Sequence, residues 1–271
     1  MIPVSSLDTA TACSLRGLLF DLDDTFLSHG LLTRAAYEAL WKLRDAGLRL
    51  VAVTGRPSGW GEIIVRQWPI DGAVTENGAV HLVREGRSIA RLEACDEAER
   101  RRRRIRLAQL VERVRAEVPE ARLADDVDAR RSDVTWDIGE RVHLPRERVD
   151  AIAAIIVDEG ARTTRSSVHV HATFDTDDKA SGTVRFLCDR FGEDAGRALV
   201  AYAFAGDSGN DAACFAAFRT TFGVANVRPY LERLTVPPRY VAEKVMGDGF
   251  AEIAEILLER RSKGDAPRRL L

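Results

Sequence analysis

The sequence is poor in the features that mark specialised classes of protein. It has only four cysteines in 271 residues: Cys13, Cys95, Cys188 and Cys214. They are far apart and form no Cys-x-x-Cys pair, so neither a zinc site nor a dithiol motif is expected. Buried free thiols in a reducing compartment are the expectation instead. Charge of neither sign dominates: a formal net charge of -2 gives no electrostatic reason to expect nucleic acid or an anionic membrane as partner. No apolar stretch approaches the ~20 residues that a membrane-spanning helix needs. The start, MIPVSSLDTATACSLRG, has neither a basic opening nor an apolar run and does not read as a signal peptide. A cytoplasmic protein is expected. Walker A is missing, and no G-x-G-x-x-G follows the first apolar run, which excludes the commonest nucleotide-binding signatures.

What is present is enough apolar material, 45% of residues, for one large core or two modest ones. Gly17 to Leu22 reads as a buried strand ending in acids. Thr33 opens an amphipathic helix with Ala36, Leu40 and Leu43 on one face and Gly47 as its stop. Leu48 to Val53 (strand), Ser58 to Gln67 (helix) and Gly72 to Thr75 (strand) continue an alternation that indicates parallel βαβ units. Asn77-Gly78 signals a hairpin turn. The rhythm then changes. Glu93 to Val118 is a long charged helix, Val134 to Ile138 a strand, and Pro145 to Glu159 a helix with Val149, Ile152, Ile155 and Ile156 inward. Arg162 to Arg165 and Val168 to Phe174 are further strands. From Lys179 the α/β pattern returns: a helix to Arg190, a strand from Leu199 to Ala205 and a helix from about Asn210. Strands at Thr220 to Val224 and Tyr240 to Val241 and a helix from Phe250 to Arg260 follow, then a fraying basic tail. The expected architecture is α/β: a Rossmann-like parallel-sheet core made from residues 1–84 and 175–271, with an α/β domain inserted at 85–174.

Four segments carry chemistry, and they fall at predicted strand ends or a helix start, where open α/β sheets hold ligands. The first is Phe20-Asp21-Leu22-Asp23-Asp24-Thr25. Its crowded carboxylates would be relieved by a hard divalent cation; alone, the segment reads equally well as an acidic turn or helix cap. The second is Val53-Thr54-Gly55-Arg56-Pro57, whose hydroxyl and guanidinium suit phosphate oxygens, although a plain turn has the same composition. The third is Lys179, which exposure statistics alone would place in solvent. The fourth is Gly206-Asp207-Ser208-Gly209-Asn210-Asp211, a metal cradle or an Asx-rich turn capping the next helix.

In this order the four segments read DxDxT, TGR, Lys, GDxxND, and the chain resembles the haloacid dehalogenase (HAD) phosphatase superfamily over essentially its whole length. The insertion between the second and third motifs, Glu76 to Ala79 (ENGA) and GDSGNDAA at Gly206 to Ala213 are similar to the subfamily IIB branch with a large α/β cap (type C2). That branch includes Cof-like phosphatases, sucrose-phosphate phosphatase, mannosyl-3-phosphoglycerate phosphatase and phosphomannomutase. The resemblance implies a Mg²⁺-dependent phosphomonoester hydrolase acting on a small phosphorylated metabolite, a sugar phosphate or glycosyl-phosphoglycerate. It implies that Asp21 attacks phosphorus and that Asp23 serves as general acid and then base. Thr54 and Lys179 would hold the transferring phosphoryl oxygens. Mg²⁺ would lie among Asp21, Asp23 (through its backbone carbonyl), Asp207 and Asp211, and Asn210 would touch metal shell or phosphate. Asp24, Phe26 and Cys214 depart from the residues common in that branch without removing a catalytic group.

Substrate choice is expected in the cap, because a lid closing over the core meets the leaving group. His169 and His171 share one strand face and are candidate substrate contacts with Arg56 and Asn210, although sheet statistics favour a polar, solvated face. Arg100 to Arg104 reads as a solvated helix face, flanked as it is by Glu97, Glu99 and Glu112, and the four tryptophans as packing residues. Two alternatives share the motifs: a sugar phosphomutase, with the same first chemical step, and a silent metabolite-binding module.

Overall fold

The computed structural model describes residues 1–165 and 168–265. Along the chain come β1 (Ile2–Pro3), β2 (Gly17–Phe20), the small hairpin β3 (Leu27–Ser28) and β4 (Leu31–Leu32), β5 (Arg49–Val53), β6 (Gly72–Thr75), β7 (Val80–Glu85) and β8 (Ser88–Glu93). A middle group follows: β9 (Arg122–Leu123), β10 (Asp133–Asp137), β11 (Arg162–Arg165) and β12 (His169–Thr173). The last strands are β13 (Tyr202–Gly206), β14 (Thr220–Gly223) and β15 (Tyr240–Val241). The helices are α1 (Thr9–Ser14), α2 (Arg34–Asp45), α3 (Ser58–Gln67), α4 (Glu97–Glu117), α5 (Arg146–Asp158), α6 (Lys179–Phe191), α7 (Ala195–Ala201), α8 (Ala212–Ala217) and α9 (Met246–Asp265).

The main sheet has nine strands in the order β1-β15-β14-β13-β2-β5-β6-β7-β8. It is parallel from β1 to β6, and only β7 and β8 run antiparallel to their neighbours. Every residue of β2 is buried, as a central strand covered on both faces requires. Its alternation divides the core. Leu18 and Phe20 join Leu50, Ala52 and Phe250 on one face, and Leu19 joins Val51, Val53, Phe186 and Phe204 on the other. No helix among the described residues is long and apolar enough to cross a membrane.

The second sheet is antiparallel, in the order β11-β12-β10-β9. Val134, Trp136, Val170 and Ala172 pack against Leu110 and Val114 of α4 and Ile152 and Ile156 of α5. The residues between them, Asp133, Thr135, His169 and His171, therefore face the other way.

Several expectations need correction. The run at 199–205 is not one strand. Asp194 caps α7 by accepting a hydrogen bond from the Arg197 amide at 3.0 Å, and the strand starts at Tyr202; an apolar run alone does not separate helix from strand. The segment 88–93 is a strand of the main sheet, pairing with β7 along its whole length, and α4 begins at Glu97. Trp41 is 46% exposed rather than packed. Helix α9 continues to Asp265, and the rest of the tail lies outside the described residues. Arg100 is not solvated: it is 1% exposed. It donates to Glu93 at 2.5 Å and to both oxygens of Asp175 at 2.6 and 3.0 Å, so α4 is pinned to both chain segments that join the two sheets. The His169 and His171 face is not solvated either, because the main sheet's loops cover it.

Candidate active site

Three adjacent strands, β13, β2 and β5, end at one place, where the strand order reverses around β2. Asp21 is the first residue beyond β2, and its amide donates to Ala205 O of β13 at 2.9 Å. Asp207 follows β13 directly, and Asp211 closes the turn after it, accepting from the amides of Asp207 and Ser208 at 3.0 and 3.3 Å. Lys179 arrives from another element. Helix α6 is capped by a reciprocal Asp178–Ser181 capping box, and its first turn presses on the ENG turn at 76–78. A Cβ on Gly78 would lie 2.0 Å from Asp178 O, and one on Gly182 would lie 2.2 Å from Gly78 O. Only glycines permit that approach, and Gly78 in addition has φ +109. The helix start thus reaches the strand ends: Lys179 Nζ donates to Asp21 Oδ1 at 2.6 Å and to Asp211 Oδ1 at 2.8 Å.

Asp21, Asp207 and Asp211 each offer a carboxylate oxygen, all within 4.8 Å of one another. All three residues are buried, so their charges are poorly screened. Burial, with Asp211 and Asp207 nearby, pushes the Asp21 carboxyl well above its ordinary value although Lys179 opposes this. Asp207 is pushed up to about 8, by burial first and then by Asp211. Burial alone would lower Lys179, but Asp21 and Asp211 hold its ammonium above the usual range. Three acids against one lysine leave excess negative charge, and the site relieves it by holding protons or a divalent cation. An all-oxygen donor set of this kind fits a hard cation such as Mg²⁺.

The other candidate residues divide. Asn210 lines the cleft, its Oδ1 accepting from Ser208 Oγ at 2.8 Å. Thr54 is fully buried and its hydroxyl accepts from the Arg56 amide at 3.0 Å. The Asp23 carboxylate lies apart from the acidic cluster, held in a fork by Arg56 Nε and Nη2 at 2.9 and 2.5 Å. Arg56, expected on phosphate, is thus engaged with Asp23, and its guanidinium stacks 4.0 Å from the Trp60 ring centre. Trp60 packs, partly buried, against the main core and is at the same time a wall of the cleft. Asp24, the extra acid, has φ 56 and ψ 12; this left-handed residue turns its side chain out to accept from the His29 amide at 3.2 Å.

Between this cluster and the second sheet lies a cavity of about 980 Å³. Asp21, Asp23, Asp207 and Asn210 line one side, and Arg130, Glu140, Arg165, His169 and His171 the other. Sequence reasoning missed the residues that hold the two sides together. Glu76 is 2% exposed and accepts from the amides of Ser58 at 2.9 Å, of Arg131 at 3.0 Å and of Ser132 at 2.6 Å. Its pKa is nevertheless raised, by burial first and by Asp133. Arg130 Nη1 donates to Gly55 O at 3.0 Å. Asn226 also escaped notice: its Nδ2 donates to Asp207 at 3.1 Å, as does the hydroxyl of Thr25, which closes the DxDxT segment, at 3.2 Å. The ENGA segment was the one available signal for Glu76; nothing in the sequence singles out Arg130 or Asn226.

Residues 18–94 match the family model of haloacid dehalogenase-like hydrolases. The whole fold is similar to solved structures. A Thermoplasma acidophilum protein is 18% identical with a TM-score of 0.69, covering 91% of this chain and 98% of that one. The sucrose-phosphatase of a Synechocystis species, solved with sucrose and phosphate, is 16% identical with a TM-score of 0.65, over 91% and 98%. A sugar phosphatase of haloacid dehalogenase subclass IIB is 17% identical with a TM-score of 0.60, over 92% and 99%. At these identities the likeness is one of fold. No curated protein matches the chain in sequence.

Proposed function

We propose that this chain is a haloacid dehalogenase-like phosphatase that hydrolyses the phosphomonoester of a small sugar phosphate or glycosyl-phosphoglycerate through an aspartyl phosphate. The observation that carries this reading is the placement of Asp21. It ends the central strand, and Lys179 occupies only one of its oxygens: Oδ1 is hydrogen-bonded and Oδ2 has no partner among the described residues. A buried carboxylate with one oxygen left open beside a fixed ammonium is arranged for in-line attack on phosphorus.

In the first step Asp21 Oδ2 bonds to phosphorus and the bond from phosphorus to the leaving oxygen breaks. Asp23 gives its proton to that oxygen. In the second step Asp23 takes a proton from water, the water oxygen bonds to phosphorus, and the acyl-phosphate bond to Asp21 breaks, returning the carboxylate and releasing phosphate. Asp23 must leave its fork with Arg56 to do this, and Arg56 is then free to meet substrate. Lys179 and Thr54 bind the phosphoryl oxygens, and Lys179 offsets repulsion between Asp21 and the incoming anion. Asp21, Asp207, Asp211 and the Asp23 carbonyl would hold Mg²⁺, with Asn226 and Thr25 orienting Asp207. The cation supplies charge neutralisation for the transferring group. Residues up to Glu93 and from Asp175 form the catalytic core in this reading, and the segment between them forms the cap that shuts water out of the cleft.

The test is phosphate release from a panel of sugar phosphates and phosphoglycerates with Mg²⁺ or with EDTA. Release that requires Mg²⁺ is expected. Preference for nucleotides or phosphoproteins would overturn the substrate class, and turnover that persists in EDTA would overturn the metal requirement.

A further inference from the structure

The cap sheet carries a buried carboxylate–imidazole pair that the steps above do not use. Asp133 on β10 lies opposite Thr173, and His171 on β12 lies opposite Thr135, so the two are diagonal neighbours on one face, within reach of each other. His171 Nδ1 is 2.9 Å from Asp133 Oδ2 and 3.0 Å from Thr135 Oγ1. Arg130 Nη1 donates to both Asp133 oxygens, at 3.2 and 3.0 Å. Its Nε and Nη2 each donate to Asp126 at 2.9 Å. Because Arg130 also bonds Gly55 O, the pair is tied to the core loop that bears Thr54 and Arg56.

This arrangement decides which nitrogen of His171 carries the proton. Burial would raise Asp133, but Arg130 and His171 hold its carboxyl below the usual value, so it is ionised and accepts only. The shared proton therefore sits on Nδ1, and the neutral ring presents a lone pair at Nε2. Burial lowers the His171 pKa, with Arg130 and His169 acting in the same direction against Asp133. Nε2 has no hydrogen-bond partner among the described residues. No fully buried side-chain nitrogen or oxygen among them lacks one, so Nε2 opens into the cleft. His171 lines the cavity that holds Asp21 and Asp207, and also a second one of about 310 Å³ that holds Lys179.

We propose that His171 Nε2 accepts a hydrogen bond from a hydroxyl of the substrate's leaving group, with Asp133 and Arg130 as positioning residues. The inference rests on the phosphatase reading of the same site and narrows it. A fixed lone pair is met by a hydroxyl donor, whereas a carboxylate or second phosphate at that point would be repelled. The leaving group at His171 is a polyol.

The experiment compares wild type with His171→Phe, which keeps a ring of similar size, on p-nitrophenyl phosphate, hexose phosphates and a set of monodeoxy hexose phosphates. In wild type, removal of one particular hydroxyl is expected to lower kcat/KM about tenfold or more. In His171→Phe the ratio of hexose phosphate to p-nitrophenyl phosphate kcat/KM falls by a similar factor, and removal of that hydroxyl has little further effect. Equal loss on every substrate, or additive losses from the two deletions, overturns the inference, and the deoxy series in wild type is independent of any folding defect in the variant. Turnover of p-nitrophenyl phosphate with no turnover of a hydroxylated ester overturns this inference alone. Absence of all turnover overturns the proposed function and the inference with it.

Discussion

The core and the cap both bury charge, but in opposite balance. At the strand ends three carboxylates share one ammonium, and burial with mutual repulsion raises both Asp21 and Asp207. Where α4 meets the joining segments, acids and bases match. Arg100 binds Glu93 and Asp175, Arg103 binds Asp175 and Glu99, and Arg131 binds Glu93. There the acid Glu93 is lowered despite burial, by Arg100 and then Arg131. A neutralised network is complete in itself and holds structure. A cluster with charge left over is stabilised further only by what it binds, which is why an under-neutralised buried cluster points to function and a balanced one does not.

That contrast can be broken by substitution. The largest effect is expected from Asp21→Asn, which keeps the shape of the side chain but removes the proposed nucleophile. Phosphate release should fall about a thousandfold or more, while thermal unfolding shows a protein at least as stable as wild type, since one of the repelling acids is gone. Next, Arg100→Ala should cost up to about 3 kcal/mol of stability, because the buried Asp175 and Glu93 each lose one of two arginines and keep only Arg103 and Arg131; urea unfolding measures it. If Arg100→Ala were harmless and Asp21→Asn unstable, the comparison would be reversed.

A third prediction separates buried imidazoles from buried acids. His81 in β7 donates through Nε2 to Gly78 O at 3.2 Å and faces Arg185 through Nδ1 at 3.4 Å. Its pKa is lowered to about 3, by burial and then Arg185. The unfolded chain therefore binds a proton that the folded one refuses, and stability should fall as pH drops from about 6.5 towards 3, at up to about 1.4 kcal/mol per pH unit. In His81→Gln that slope should flatten, as read from urea midpoints across the window. The smallest effect belongs to Arg102→Ala. This side chain is 67% exposed and pairs with Glu99, so the loss should be about 0.5 kcal/mol or less. Together with Arg100→Ala, it tests whether burial, rather than charge, decides what the arginine run contributes.

The arginine run also shows where sequence reading stops. Five arginines in a row read as one solvated face. In the folded chain Arg100 is buried, Arg103 is half-covered on Asp175, and Arg102 stays in water. Helical periodicity separates those positions, but which one meets Asp175, 75 residues away, is set by how the middle sheet returns to the core. The same holds for His169 and His171. Alternation along β12 correctly divides the strand into two faces, yet burial of the polar face depends on the Glu76 and Arg130 contacts that dock it. The core motifs were legible because each needs only a strand end and a short turn: Asp21 after GLLF, Thr54 after RLVAV, Asp207 after YAFAG.

By itself the sequence determined the local pieces: a doubly covered parallel sheet from its apolar runs, a helix start at Thr33 from its capping side chain, and acids and hydroxyls at strand ends from four short motifs. Only the tertiary structure decided that Asp23 rests on Arg56, that Glu76 grips the cap, and that His171 turns its Nε2 towards the cleft. The physical reason is the range of the forces involved. Propensity and periodicity act over a few residues, while desolvation and ion pairing depend on partners that the chain brings together only when it has folded.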